Sequence, residues 1–140
     1  MLYDVSWDVY AVRGTRGARR LEDLPEPFTP PTIGTQAAVI EKVRDVAPHV
    51  EVIDSSWLRL VGSDHSIELS LGKAEQVRDV TFFIHKGDGA VAVVRSVCRS
   101  LALTAYDTET GELLRDDATA PQAAGSAEPE RPTSRRWWRR

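Results

Sequence analysis

The sequence lacks the several cysteines that form stabilising disulfides in small secreted proteins. Its single cysteine, Cys98, has no second thiol to pair with, so an internal disulfide is excluded. A reducing compartment suits such a chain, and we predict a cytoplasmic location. No apolar run approaches the roughly 18 residues that a transmembrane helix needs. Residues 1–10 have no basic segment followed by an apolar core, so they do not resemble a signal peptide.

Motifs for metal binding and nucleophilic catalysis are also missing. His49, His65 and His85 are far apart and form neither H-x-x-x-H nor H-E-x-x-H spacing. With one cysteine beside them, they do not predict the three or four converging ligands of a metal site. Cys98 falls on the apolar side of a predicted helix, which favours packing over reactivity. No G-x-S-x-G elbow occurs either. We therefore predict no metal, no cofactor and no catalytic residue.

Charge is distributed unevenly along the 140 residues. Residues 1–117 carry thirteen basic and nineteen acidic side chains, a net charge of −6, whereas residues 118–140 carry five arginines and two glutamates, a net charge of +3. An acidic body is poorly suited to a nucleic-acid backbone, because that binding depends on neutralising phosphates. Any role with nucleic acid or an anionic membrane would fall to residues 118–140.

Apolar periodicity predicts the secondary structure. Alternation over residues 2–12 indicates a strand, and helical spacing after an N-cap at Thr35 indicates a helix over about 36–47. Three strands follow within residues 50–86, the first of which could divide near Asp54–Ser56. A second helix over about 90–101 and a last strand complete the order. The second helix has one apolar side, made of Ala90, Val91, Val94, Val97, Cys98 and Leu101.

The order β-α-β-β-β-α-β predicts an α+β fold. We expect a ferredoxin-like two-layer sandwich, with two helices on one face of a mostly antiparallel sheet and water on the other. Residues 13–34 contain four prolines and three glycines, which predict a long surface loop, or alternatively a flap or a partner-docking loop. Residues 1–117 form the predicted single domain, and the Ala/Pro-rich residues 118–140 a disordered tail.

Two stretches resemble a family of small bacterial α+β proteins of unknown function. They are "YDVSWDVYAVR" at the start and "FFIHKGDGAVAVVRSVCRSLALTAYDTETGELL" over residues 82–114. Together they span roughly a third of the chain. The shared motifs are structural, so the resemblance implies an α+β fold and no activity.

One candidate ligand site is the "HKGDG" segment between a predicted strand and the second helix. Backbone N–H groups there, with a lysine as counter-charge, suit a small anion. An acidic residue at the same helix end would compete with that anion, and the alternative is a plain capped turn. The candidate residues are His85, Lys86, Gly87, Asp88 and Gly89.

A second candidate surface is the "SRRWWRR" segment. Tryptophan and arginine together suit an anionic membrane interface, or a nucleic acid through base stacking and phosphate contacts. The alternative is a tail without function. The candidate residues are Arg135, Arg136, Trp137, Trp138, Arg139 and Arg140.

Three functions follow from these features. The first is a non-enzymatic protein-interaction module, immunity- or regulator-like, whose acidic body would steer onto a basic partner. The second is an anionic-ligand binder or enzyme that uses the His85–Gly89 segment, with His85 as acid or base. The third is peripheral membrane or nucleic-acid association through Arg135–Arg140. The outward residues Tyr10 and Val12, with Phe83 as a further candidate, also suggest a homodimer formed face to face.

Overall fold

Two helices and eight strands make up the described part of the chain, residues 7–86 and 89–114 of a computed structural model. The helices are α1 (Gln36–Val46) and α2 (Ala90–Leu101). The strands are β1 (Trp7–Val12), β2 (Gly34–Thr35), β3 (Glu51–Asp54), β4 (Trp57–Gly62), β5 (His65–Ser70), β6 (Gln76–Val77), β7 (Asp79–Lys86) and β8 (Thr104–Asp107). Neither helix is long and apolar enough to cross a membrane.

Six of these strands form one sheet in the order β3-β4-β5-β7-β1-β8, and every neighbouring pair is antiparallel. The prediction of an α+β fold with two helices and a mostly antiparallel sheet is confirmed. The exact ferredoxin-like topology is not supported, because the sheet has six strands and β2 and β6 form a separate ribbon. The sixth strand arises because the chain turns back at Ser55 and Ser56, which divides residues 50–61 between β3 and β4.

The helices cover one face of the sheet. Thr35 caps α1 as predicted, since its hydroxyl accepts a hydrogen bond from the Ala38 N–H at 3.1 Å. The predicted apolar side of α2 is buried along its whole length and packs in one cluster with the inward side chains of four strands. Those inward side chains include Trp7, Val9, Ala11, Leu58, Leu60, Ile67, Leu69, Val80, Phe82 and Ile84. Strict alternation along each strand therefore builds the main core.

The long connector over residues 13–33 covers part of the opposite face. Leu21 and Leu24 form a second cluster with Tyr10, Val12 and Tyr106, against which Ala18 and Phe28 also pack. The hydroxyl of Tyr106 donates a 2.7 Å hydrogen bond to the carbonyl of Ala18. Tyr10 and Val12 are therefore buried at 5% and 0% exposure, and neither is available to a face-to-face partner.

The two edges of the sheet differ. Beyond β8, the amide of Leu114 donates to the Ala105 carbonyl at 2.9 Å, and residues 111–113 pair in turn with residues 19–21 of the connector. At the other edge all four residues of β3 are exposed, including Val52 and Ile53. A β-bulge between Val52 and Asp54 interrupts the pairing of that edge strand.

Helix α2 ends at Ala102 in the left-handed region, at φ 57° and ψ 49°. The amide of Leu103 donates to the Cys98 carbonyl at 2.8 Å, which closes the last turn. Glycine is the usual residue at this position because a Cβ atom is strained there.

We expect Ala102→Gly to stabilise the protein by about 1 kcal/mol, because it removes the Cβ strain at the end of α2. Chemical unfolding monitored by circular dichroism measures the difference. Ala92→Gly is the matched control, since Ala92 is an exposed residue inside the same helix, where glycine should cost about 1 kcal/mol. Equal destabilisation by both substitutions would contradict the prediction.

Candidate functional site

The His85–Gly89 segment spans two different surfaces. His85 lies on the sheet face opposite the helices, and its Nε2 atom is 3.7 Å from the Glu68 carboxylate. Gly89 is the N-cap of α2, on the helix side. Lys86 is the last residue of β7, while Gly87 and Asp88 lie outside the described residues. His85 and Gly89 therefore do not converge on one pocket.

The turn between β4 and β5 holds the beginning of α2. The carbonyl of Asp64 accepts a 2.9 Å hydrogen bond from the Gly89 N–H, and the Asp64 carboxylate lies directly against the Gly89 Cα. The same carboxylate is 2.9 Å from Nδ1 of His65. His65 is buried on the helix side, the same face as Ile67. The imidazole thus fixes the position of the Asp64 carboxylate.

This geometry bears on the predicted anion site. A helix N-terminus attracts negative charge, and the Asp64 carboxylate stands beside Gly89 where an external anion would approach. Repulsion between two anions disfavours the second one. The arrangement is suited to anchoring α2 against the β4–β5 turn.

The larger surface is the half of the sheet that faces away from the helices and lies beyond the connector. We call it the open face and define it by the outward residues of β3, β4, β5 and β7: Glu51, Asp54, Trp57, Arg59, Glu68, Phe83 and His85. Each of these side chains is exposed or half-buried. Trp57 and Phe83, the aromatic pair at its centre, belong to neither of the two clusters of buried residues in residues 7–86 and 89–114.

Trp57 and Phe83 form the centre of the open face. Their rings stack with centroids 5.6 Å apart and an interplanar angle of 21°. Trp57 belongs to β4 and Phe83 to β7, so the pair spans the intervening strand β5. Offset stacking of this kind is favourable, and it leaves a broad apolar platform beside polar side chains.

Charged side chains surround this aromatic pair. Arg59 lies 3.6 Å from Glu51 on one side and 3.6 Å from Glu68 on the other. Asp54 lies opposite Trp57 in the β3–β4 pair, and hydrogen bonds from Ser56 lower the pKa of its carboxyl. Glu51, Asp54 and Glu68 against Arg59 give these four residues a formal net charge of −2, and Lys73 is a further cation near Asp54.

The covered half of the same sheet face holds a half-buried carboxylate, that of Asp79. Burial raises the pKa of the Asp79 carboxyl, although a hydrogen bond from the Tyr10 hydroxyl acts in the opposite direction. Burial and the nearby Asp79 charge together raise the pKa of Tyr10. The ionised form of Asp79 therefore lowers the free energy of unfolding.

Other sequence-predicted features make no site in the described residues. Arg135, Arg136, Trp137, Trp138, Arg139 and Arg140 all lie outside them. Within residues 7–86 and 89–114, no three His, Cys, Asp or Glu side chains are placed to hold a metal ion. Burial raises the pKa of the Cys98 thiol to about 12, as its position on the apolar side of α2 predicts.

The open face was missed by sequence reasoning, although part of its signal was present. Alternation with the buried Leu58 and Leu60 points Trp57 and Arg59 outward. The pairing of Trp57 with Phe83 depends on the order of β4, β5 and β7, which periodicity does not give. The contact between Asp64 and Gly89 depends on the same tertiary arrangement.

Comparison with protein-family models, with curated proteins and with solved structures found no match.

We expect Gly89→Ala to destabilise the protein by about 1–3 kcal/mol, because its Cβ would overlap the Asp64 carboxylate. The backbone at Gly89, with φ −101° and ψ 5°, is open to alanine, so backbone strain adds nothing to the steric cost, although alanine is also a poorer N-cap than glycine. Denaturant unfolding measures this cost. In the double variant with Asp64→Ala the two effects should not add, and strict additivity would contradict the contact.

Asp79→Asn should be more stable than the wild type at pH 7, with a difference that shrinks as the pH falls. The folded-state pKa is raised, so the folded protein takes up this proton before the unfolded chain does. The cost of the ionised carboxylate is present above the folded-state pKa and disappears as the pH approaches the unfolded value of about 3.9. Urea unfolding at a series of pH values measures the free energy of unfolding of the wild type and of Asp79→Asn.

Tyr10→Phe is the companion variant for this experiment. It removes the hydrogen bond that favours the ionised form, so the pH dependence should extend to higher pH. If the difference in free energy of unfolding between wild type and Asp79→Asn stays constant from pH 4 to pH 7, the pKa of Asp79 is not raised by folding.

Proposed function

We propose that this chain is a non-enzymatic protein-binding module, immunity- or regulator-like, that binds a basic protein partner through the open face. The observation that carries the proposal is the stacked Trp57–Phe83 pair, half-buried in a sheet face that the helices and the connector leave uncovered. Aromatic residues with a neighbouring arginine are the residue types that dominate binding energy at protein interfaces.

The charge pattern supports a basic partner. The net charge of −6 over residues 1–117 gives a long-range attraction toward cationic surfaces, which raises association rates. Around the aromatic pair, Glu51 and Asp54 are exposed to solvent and placed to meet cations at the rim of an interface. Glu68 is less exposed, with 25% of its side chain accessible, and already contacts Arg59.

The open face is also built on a rigid frame. Strands β4, β5 and β7 are paired along their length, and the inward neighbours Leu58, Leu69 and Phe82 are completely buried. Side chains on such a frame lose little entropy when a partner binds, because the backbone is already ordered. Most preorganised complexes form in this way, with small backbone shifts.

We expect Trp57→Ser to weaken the complex with the partner by about 30-fold or more, the effect of losing a central aromatic anchor. The partner is first isolated with full-length wild-type bait and purified, and its dissociation constant is then measured by calorimetry against each variant. Association with the wild type should also slow as salt rises from about 0.05 to 0.5 M, because charges more than a Debye length apart become screened.

Two matched variants make this result interpretable. Trp57→Tyr keeps an aromatic ring on the open face and should retain most of the affinity. Lys42→Ser changes an exposed residue of α1 on the far side and should leave the dissociation constant unchanged. A partner that binds Trp57→Ser as tightly as the wild type, while Lys42→Ser weakens it, would move the interface to the helices and refute the proposal.

A further inference from the structure

The open face and residues 131–140 have complementary charges. On the open face, Glu51, Asp54 and Glu68 outnumber Arg59. Residues 131–140 contain five arginines and no acidic residue. Guanidinium groups make favourable two-pronged hydrogen bonds with carboxylates, so such a segment suits a surface with several exposed acids.

The apolar chemistry of the two parts is complementary as well. The platform formed by Trp57 and Phe83 can take a third aromatic ring or the flat face of a guanidinium. The segment supplies Trp137 and Trp138 between two pairs of arginines. One stretch of chain therefore carries both interactions that the open face offers.

The length of the intervening chain fits a contact within one molecule. The described chain ends at Leu114, next to β8, where its carbonyl accepts a 3.0 Å hydrogen bond from Arg95 of α2. Nineteen residues lie between Leu114 and Ser134. A flexible linker of that length has a root-mean-square span of about 25 Å. The path from Leu114 to β5 crosses four strand spacings of about 4.8 Å and passes around a layer about 10 Å thick.

This match of span and distance gives a high effective concentration. It reaches about a millimolar when the linker length is close to the distance it must cover. A segment that would bind the open face with a dissociation constant of about a millimolar as a free peptide would then occupy it about half of the time.

We infer that residues 131–140 bind the open face of their own chain and compete there with the protein partner. The inference deepens the proposed function, because it assigns a regulatory contact to the same surface. Residues 131–140 lie outside the described residues, so the inference depends on their chemistry and on the geometry of the surface they would reach.

The test is a paramagnetic-relaxation experiment on the full chain. A nitroxide is attached to Ser134→Cys, and Cys98 stays unlabelled because it is buried and its thiol pKa is raised to about 12. We expect the amide signals of Trp57, Glu68 and Phe83 to broaden strongly, and those of α1 to broaden little. The broadening should fall in about 1 M salt, where the Debye length is about 3 Å.

Two controls decide which occupant causes the broadening. In the full chain with Trp137→Ser and Trp138→Ser, the effect on the open face should largely disappear. In a mixture of spin-labelled chain and isotope-labelled chain without the nitroxide, broadening should be absent. Strong broadening in that mixture would mean that a second copy binds, and equal broadening of α1 and the open face would mean that the segment does not dock; either result overturns the inference.

This experiment separates the two proposals. If the segment does not dock but the partner still requires Trp57, the proposed function stands and the competition is wrong. If the segment docks and Trp57→Ser leaves partner affinity unchanged, the open face serves the segment alone. If both are right, the Trp137→Ser and Trp138→Ser chain should bind the partner about two-fold more tightly, as expected when half-occupancy by a competitor is removed.

Discussion

The burial of β1 on both faces is the constraint around which the rest of the fold is arranged. Its inward residues Trp7, Val9 and Ala11 belong to the main core with the helices. Its outward residues Tyr10 and Val12 are also largely apolar. The sheet face opposite the helices must therefore be shielded from water at this strand. An antiparallel sheet with helices on one side normally leaves the second side wet, and here a part of that side needs its own cover.

The connector supplies this cover, and its position decides where the sheet stays open. Leu21 and Leu24 pack over β1 and β8, and hydrogen bonds between residues 19–21 and residues 111–113 hold the segment in place. Asp79 of β7, which accepts a hydrogen bond from the covered Tyr10, lies at the border of this part of the face. Beyond it, Trp57 and Phe83 remain half-exposed. The uncovered aromatic pair is thus a direct result of how far a proline-rich connector can reach.

Periodicity in the sequence was enough to predict both helices, the strand segments of the large sheet and the main core, but it did not predict the β2–β6 ribbon. The six apolar residues of α2 are buried as their spacing predicts, and Ile67, Leu69 and Leu71 share the inward face as alternation predicts. The prolines and charges of the connector predict a solvated loop. Its few apolar residues, which form the second cluster, are too sparse to show a periodic pattern. Strand order was not predictable in detail, because register and neighbour choice depend on tertiary contacts.

The candidate sites likewise divide into features that local sequence predicts and features that depend on tertiary contacts. Sequence spacing identified the strand-to-helix turn at Gly89, but the neighbour that fills it, Asp64, comes from a turn twenty-five residues earlier. The open face joins side chains from four strands, and only a knowledge of which strands are adjacent brings them together. Local pattern therefore predicts which side chains point outward, while topology decides which of them become neighbours.

The unequal edges of the sheet set a limit on how this protein can polymerise. A fibre that grows by strand pairing needs two free edges on every subunit, one to accept a neighbour and one to offer to the next. Beyond β8 the chain's own residues 112–114 already occupy the pairing positions, so within the described six-stranded sheet β3 is the edge left to accept a strand. Pairing of two such sheets through β3 would occupy the free edge of both and leave no second free edge on the six-stranded sheet for a further subunit.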